Sequence, residues 1–229
     1  MKAFIINGSG TLIDSSLSGF AMLADSIGKK QEMLEHQAHY FKVRQKHPWG
    51  SEEFAKMFKG ASQELLMKNA REIVRKNLRN GSRELINELK NKNYLIAFYS
   101  TDPLEIAIAI QEELNLDNAF GTEFEYKNGI CTGNLKTKFD RFDRAIKIKK
   151  FIEENKLRKE DVFIIGDSIT VVPSAELGRI IAFNPKNPEL EKVAKFKVNN
   201  LSEIFKILEI MLISNIFFLY LHLLPVFPK

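Results

Sequence analysis

Near its amino end the chain reads Lys2-Ala-Phe-Ile-Ile-Asn-Gly-Ser-Gly-Thr-Leu-Ile-Asp14. The apolar run Phe4-Ile5-Ile6 predicts a buried strand. The stretch Asn7-Gly8-Ser9-Gly10-Thr11 follows it directly, and its two glycines predict a tight loop. Small polar residues just after a buried strand are typical of the edge at which open α/β sheets bind ligands. The loop therefore forms the first part of a candidate site.

Four further segments predict strands, and amphipathic helical patterns separate most of them. These strands are expected at Tyr94–Tyr99, Val162–Ile165, Arg179–Phe183 and Ala194–Val198. Short apolar strands that alternate with helices indicate an α/β fold with a parallel sheet covered on both faces. The first three strands in the chain end at Asn7, Ser100 and Asp167, so we expect these residues to meet at one site.

Asp102-Pro103 is expected to open a helix that runs to about Leu114, with Asp102 as its cap and Pro103 in its first turn. Residues 175–178 predict a short helix.

Between the first two strands lies a long segment without strand signals. Apolar residues recur there at helical spacing, which predicts a small helical insert over residues 15–78. A set of ordinary helices within one domain is the alternative. The expected division is a core of residues 1–14 and 79–208, the insert, and an apolar tail of residues 209–229. A further pattern, Glu123–Gly133, alternates around Asn128-Gly129 and predicts a β-hairpin with a type I′ turn.

Four of these motifs, in this order, resemble the haloacid dehalogenase superfamily, in particular its phosphoserine phosphatase-like branch. They are the loop after the first strand, Ser100, the hairpin sequence Asn128-Gly-Ile-Cys-Thr-Gly133, and Gly166-Asp167. The resemblance spans about residues 2–208. It implies a Rossmann-like, three-layer parallel sheet with a helical cap inserted after the first strand.

The resemblance also implies roles for particular positions. Asn7 falls on the nucleophile and Ser9 on the general acid/base, where the family carries two Asp residues. The neighbours Ser100 and Thr101 fall on the phosphate-binding motif. The family's cationic residue falls on Arg144, with Lys147 as a close competitor.

Two further positions concern metal binding. Asp167 falls on a Mg²⁺ ligand, and Val171 stands where the family usually has a further Asp. The acidic residue that would hold a substrate amine falls on Ser16, although Asp14 is nearby. As alternatives without function, Ser100 would only end a strand, Asp167 would be a turn residue and Arg144 would be a solvated helix residue.

Three acidic functions are therefore replaced together, at Asn7, Ser9 and Val171. Loss of one member of a coupled catalytic set already costs several kcal/mol of transition-state stabilisation. We expect a phosphatase fold with lost or much reduced activity that still binds a phosphorylated small molecule, with weakened binding of Mg²⁺. An active Mg²⁺-dependent phosphomonoesterase is the first alternative. An interaction module that uses its apolar tail is the second.

Bulk properties bound the remaining possibilities. The net charge of +5 is mild and spread along the chain, so we expect no nucleic-acid partner. The single cysteine, Cys131, excludes an intrachain disulfide and fits a reducing compartment. The amino end does not resemble a signal peptide, which favours a cytoplasmic protein.

The apolar stretch 210–228 predicts either a membrane anchor or a helix that packs on the domain or a partner chain. His36 and His39 lie three residues apart but lack further metal ligands nearby.

Overall fold

The fold is described from a computed structural model, which defines residues 1–43 and 50–209. The central sheet has five parallel strands in the spatial order β2-β1-β5-β6-β7. Their bounds are β1 Ala3–Ile6, β2 Leu95–Phe98, β5 Val162–Gly166, β6 Arg179–Phe183 and β7 Ala194–Val198. The predicted α/β parallel sheet is thus confirmed, with each strand within two residues of its expected bounds.

Helices connect the strands as the sequence pattern predicts. They are α5 Ser82–Asn91, α6 Leu104–Leu114, α7 Arg141–Glu154 and α8 Pro188–Val193, and a further helix, α9, spans 202–209. The segment Ile169–Leu177 is a 3-10 helix rather than the short α-helix expected near Ala175. Pro173 lies inside this segment and removes a backbone donor there, which opposes a regular α-helix.

Alternate residues of the buried strands face two separate apolar clusters. In β1, Phe4 and Ile6 belong to one cluster and Ile5 belongs to the other, and all three are fully buried. The ring of Phe4 stacks on that of Phe163 in β5, with centroids 4.9 Å apart. Burial on both faces fits the near-continuous apolar sequence of the strand, since parallel sheets are covered on both sides.

The segment between β1 and β2 contains the helices α1 Gly19–Asp25, α2 Lys30–Val43, α3 Ser51–Lys56 and α4 Gln63–Asn77. Backbone hydrogen bonds join the two ends of this insert. The Asp14 N–H donates to the Asn77 carbonyl at 2.7 Å, and the Arg79 N–H donates to the Leu12 carbonyl at 2.9 Å. The chain therefore leaves and re-enters the core at adjacent points.

The hairpin consists of β3 Glu123–Lys127 and β4 Ile130–Thr137, paired antiparallel. Asn128 and Gly129 form its two-residue turn with φ angles of 52° and 75°. Two successive positive φ angles are the property of a type I′ turn, which confirms that prediction. The edge of β4 also hydrogen-bonds the insert: the Gly60 N–H donates to the Cys131 carbonyl, and the Cys131 N–H donates to the Ala61 carbonyl. The hairpin therefore lies against the insert, although the sequence groups it with the core.

No helix within residues 1–43 and 50–209 is long and apolar enough to cross a membrane. The apolar stretch 210–228, on which the expectations of membrane or self-association rest, lies outside the described residues.

Candidate active site

The loop after β1 is held by its own backbone. The Gly8 carbonyl accepts from the N–H groups of Thr11, Leu12 and Ile13 at 3.1, 2.9 and 3.2 Å. Gly10 has a φ of +81°, and a β-carbon at that residue would lie 2.0 Å from Asp167 Oδ2. Only glycine satisfies both the backbone angle and this close approach. The loop is therefore shaped to bring the ends of β1 and β5 together.

Asn7 is the first side chain after β1, and it is buried. Its Nδ2 donates to the Ser9 carbonyl and to Asp167 Oδ1, each at 3.2 Å. Both partners are acceptors, so the hydrogen-bond network assigns the NH₂ group, and not the amide oxygen, to this side. The structure thus brings Asn7 and Asp167 into direct contact, as the strand ends predict. The Ser9 hydroxyl is buried close by and has no hydrogen-bond partner within residues 1–43 and 50–209.

At the end of β2, Ser100 was expected to bind phosphate, but its hydroxyl is bonded within the protein. The Ser100 hydroxyl is buried and donates to Asp102 Oδ2 at 2.7 Å, while Asp102 Oδ1 accepts from the Gly19 N–H at 2.8 Å. The sequence pattern predicted that Asp102 caps α6, and that prediction is wrong. α6 starts after Pro103 without a side-chain cap, and Asp102 instead binds the first turn of α1 in the insert.

Arg144 and Lys147 lie on the same helix but in opposite environments. Arg144 is fully buried, and burial lowers its pKa to about 10 although Asp167 and Asp102 act in the opposite direction. Its Nη1 is 3.4 Å from the Thr170 carbonyl, and its Nε and Nη2 have no partner among the described residues. Lys147 is exposed. The structure therefore puts Arg144, and not Lys147, beside the other candidate residues.

Asp167 follows β5 and is the carboxylate that Asn7 contacts. Burial raises its pKa, while the hydrogen bond from Asn7 and the charge of Lys186 act to lower it. Val171, four residues on, is fully buried in one of the apolar clusters. A β-carbon at Gly166 would lie 2.3 Å from Val171 Cγ2, so this position is filled by apolar packing.

These residues border a cavity of about 360 Å³, a size that suits a small ligand. Of the residues expected at the site, Asn7, Ser9, Thr101 and Asp167 line it. Ser100 and Arg144 lie behind its wall, in contact with Asp102 and Thr170, which do line it. Two cations that no sequence motif indicated also border the cavity, Arg141 and Lys186. The Nε of Arg141 is buried and has no partner in the part of the chain that the structure describes.

Comparison with known proteins agrees with this architecture. A family model for haloacid dehalogenase-like hydrolases matches residues 9–175. The chain belongs to the haloacid dehalogenase-like hydrolase family. The curated relatives and solved structures that it resembles carry the name phosphoserine phosphatase.

Among curated relatives, a phosphoserine phosphatase of Archaeoglobus fulgidus is 28% identical over 81% of this chain and 53% of its own length. One of Lactococcus lactis is 27% identical over 53% of this chain and 57% of its own. The chain thus spans little more than half the length of either relative. A solved substrate-bound phosphoserine phosphatase superposes with a TM-score of 0.75 at 24% identity, over 90% of this chain and 97% of that one. This likeness shows the shared fold.

Haloacid dehalogenase-like phosphatases generally use Mg²⁺, and the donor atoms here test whether this chain suits the ion. Mg²⁺ prefers carboxylate and carbonyl oxygens in a near-ideal octahedral arrangement. The Asn7 NH₂ group lies against the Ser9 carbonyl and the Asp167 carboxylate, two oxygens that could otherwise serve as ligands. Across residues 1–43 and 50–209, no group of three or more His, Cys, Asp or Glu side chains could hold a metal. The residues therefore do not fit Mg²⁺ as arranged. The other candidate metal ligands considered, His36 and His39, are exposed on α2.

Proposed function

We propose that this chain binds a phosphorylated small molecule at the carboxyl edge of its sheet and hydrolyses it slowly or not at all. The observation that carries the proposal is the Asn7 amide, which donates to Asp167 and to the Ser9 carbonyl. An amide is a far weaker nucleophile than the carboxylate that the family uses at this position. The site thus holds a neutral donor where the family's reaction requires an anionic nucleophile.

The remaining catalytic positions support the same proposal. A Ser9 hydroxyl cannot act as a general acid/base near neutral pH as a carboxyl group does. Val171 is enclosed by apolar side chains, so the metal loop lacks its further carboxylate. Loss of these coupled groups is compatible with a retained fold, because Asn7 is hydrogen-bonded and Val171 packs in an apolar cluster.

Phosphate binding is supported by the donors that lack partners. Among the described residues, Ser9 Oγ and Arg141 Nε are buried without partners in the cavity lining, and so are Nε and Nη2 of the fully buried Arg144 behind the wall. A buried donor without an acceptor is costly, and a buried cation adds to that cost even with Asp102 and Asp167 nearby. A phosphate group carries two negative charges and several acceptor oxygens, and it would offset both costs at once.

The proposal is tested by turnover and binding on the same purified chain. With p-nitrophenyl phosphate or O-phosphoserine and Mg²⁺, we expect no hydrolysis above the blank, whereas calorimetry with inorganic phosphate should show binding. The triple variant Asn7→Asp, Ser9→Asp and Val171→Asp is expected to gain turnover. Turnover by the unmodified chain that Asn7→Ala abolishes would overturn the proposal and support an active phosphomonoesterase instead.

A further inference from the structure

The cavity has one end whose walls come mainly from the insert. Leu17, Phe20, Tyr40 and Phe54 line this end. The rings of Phe20 and Phe54 have centroids 5.4 Å apart at an interplanar angle of 59°, and those of Tyr40 and Phe54 are 6.2 Å apart at 80°. Tilted and edge-to-face rings of this kind form a stable aromatic surface. This end is called the aromatic end below.

Carboxylates are absent from the described lining of the aromatic end. The acidic residues that border the cavity are Asp102 and Asp167, and both accept hydrogen bonds at the sheet edge. Ser16, where the family would place an acid for a substrate amine, is an exposed hydroxyl on the cavity rim. The undescribed residues 44–49 read RQKHPW and contain no Asp or Glu. No carboxylate from that segment can therefore complete an ammonium site.

We propose that the ligand is a phosphomonoester of a neutral group with aromatic or apolar surface, and not a phosphorylated amino acid. This inference rests on the proposed function, because it assumes that the phosphate lies at the sheet edge beside Arg144. The remainder of the ligand then extends into the aromatic end. An ammonium group there would lose water without gaining an anionic partner, which is unfavourable. A ring would instead replace water against Phe20, Tyr40 and Phe54, which is favourable.

Three probes separate these cases by calorimetry at neutral pH: inorganic phosphate, phenyl phosphate and O-phosphoserine. We expect inorganic phosphate to bind and phenyl phosphate to bind about tenfold more tightly, the gain from burying one ring. O-phosphoserine should bind no more tightly than inorganic phosphate. If O-phosphoserine binds as tightly as phenyl phosphate, or more tightly, the inference is overturned and the proposed function still stands. If none of the three binds, the proposed function fails and the inference fails with it.

Two variants test the assignment of each end. Ser16→Glu introduces the missing carboxylate at an exposed position, and we expect it to raise the affinity for O-phosphoserine about fivefold. Ser16→Gln is the matched neutral control and should leave that affinity unchanged. Tyr40→Ala should remove most of the preference for phenyl phosphate while inorganic phosphate binds as before, which also verifies that the variant is folded. A preference that persists in Tyr40→Ala would contradict the assignment of the aromatic end.

Discussion

The sheet edge and the aromatic end of the cavity differ in how their residues are held. The difference suggests that the sheet edge binds phosphate, while the aromatic end determines which ligand is preferred. At the sheet edge, backbone geometry fixes the site: the Gly8 carbonyl accepts three N–H groups, and Gly10 approaches Asp167 too closely for any side chain. At the aromatic end, side-chain packing between insert helices forms the walls. Backbone geometry survives substitution of the side chains it carries. A family fold can therefore keep its phosphate cradle after its acids are lost, while the packed end sets which ligand fits.

The largest effect is expected from Arg144→Met, which tests whether the sheet edge binds anions. Removal of the buried guanidinium should weaken the binding of inorganic phosphate about a hundredfold, because its charge acts on the cavity through the low-dielectric wall. The same variant should unfold at an equal or higher temperature, since apolar replacement of a buried charged group is often neutral or stabilising. Calorimetry and thermal unfolding measure the two results.

Lys147→Met is the matched control for this change. It removes a cation from the same helix three residues on, but from an exposed position. We expect phosphate affinity to stay within about twofold of the unmodified chain, because exposed charges are screened by salt. If both variants weaken phosphate equally, general charge and not the buried guanidinium binds the anion, and the distinction between the two ends of the cavity is lost.

A second prediction concerns Asn7→Asp, which restores one acid at the sheet edge. The variant loses two donated hydrogen bonds and puts a carboxylate against Asp167, so we expect a loss of about 2 kcal/mol in the free energy of unfolding without metal. Millimolar Mg²⁺ should raise the unfolding temperature of this variant by binding the folded state. The unmodified chain should show no such rise. A Mg²⁺-dependent rise in the unmodified chain would show that the present donor set does suit the ion.

Much of this arrangement could be predicted from the sequence, and the part that could not has a physical cause. Strand ends are marked by apolar runs that stop at small polar residues, so the meeting of Asn7 and Asp167 was predictable from topology. The turn at Asn128-Gly129 was predictable because few residues adopt positive φ angles. Side-chain direction beyond a strand end depends on contacts distant in the chain. For this reason Asp102 was assigned to the wrong helix.

The residues that were missed also depend on distant contacts. Arg141 is the first residue of α7 and Lys186 lies after β6, and the sequence pattern does not specify how either segment approaches the cavity. Neither residue stands in a recognisable motif. The spacing of Arg141 could still have indicated its place, since it lies three residues before Arg144 and hence on the same face of the helix.

A third prediction concerns Arg79, which holds the first loop where the insert rejoins the core. Its Nε donates to the Thr11 carbonyl at 2.7 Å and its Nη2 to the Gly10 carbonyl at 3.1 Å, while the guanidinium lies over the Phe183 ring. Arg79→Ala should lower the free energy of unfolding by about 1.5 kcal/mol and weaken phosphate binding, because the loop loses these anchors. Denaturant unfolding and calorimetry measure the two effects.

The salt bridge between Arg79 and Asp14 supplies the control for that prediction. Asp14 Oδ1 lies 3.0 Å from Arg79 Nη2, but the Asp14 side chain is largely exposed. Asp14→Asn should therefore change the free energy of unfolding by less than about 0.5 kcal/mol. If Asp14→Asn destabilises as much as Arg79→Ala, the ion pair and not the carbonyl contacts holds the loop.

The smallest effect is expected at Glu105, where the core meets the hairpin that lies against the insert. Glu105 on α6 is buried and accepts a hydrogen bond from the Tyr126 hydroxyl on β3, and no described residue bonds its Oε2. Burial raises its pKa above the ordinary value of 4.5, while the bond from Tyr126 acts in the opposite direction. A raised pKa in the folded state gives stability that is complete below the unfolded value and is lost as the pH rises through the folded value.

Glu105→Gln removes this dependence, because a neutral amide accepts the same hydrogen bond at every pH. At pH 7 we expect the variant to unfold about 2 °C higher than the unmodified chain, and the difference should close as the pH falls toward 4. Glu112→Gln on the same helix is the control of opposite sign, since hydrogen bonding to Arg71 lowers the pKa of Glu112. Its stability deficit should be present at pH 7 and shrink on acidification. If the unfolding temperatures of both variants change in the same direction at pH 7, burial does not distinguish Glu105 from Glu112. The contact between core and hairpin then does not make stability depend on pH.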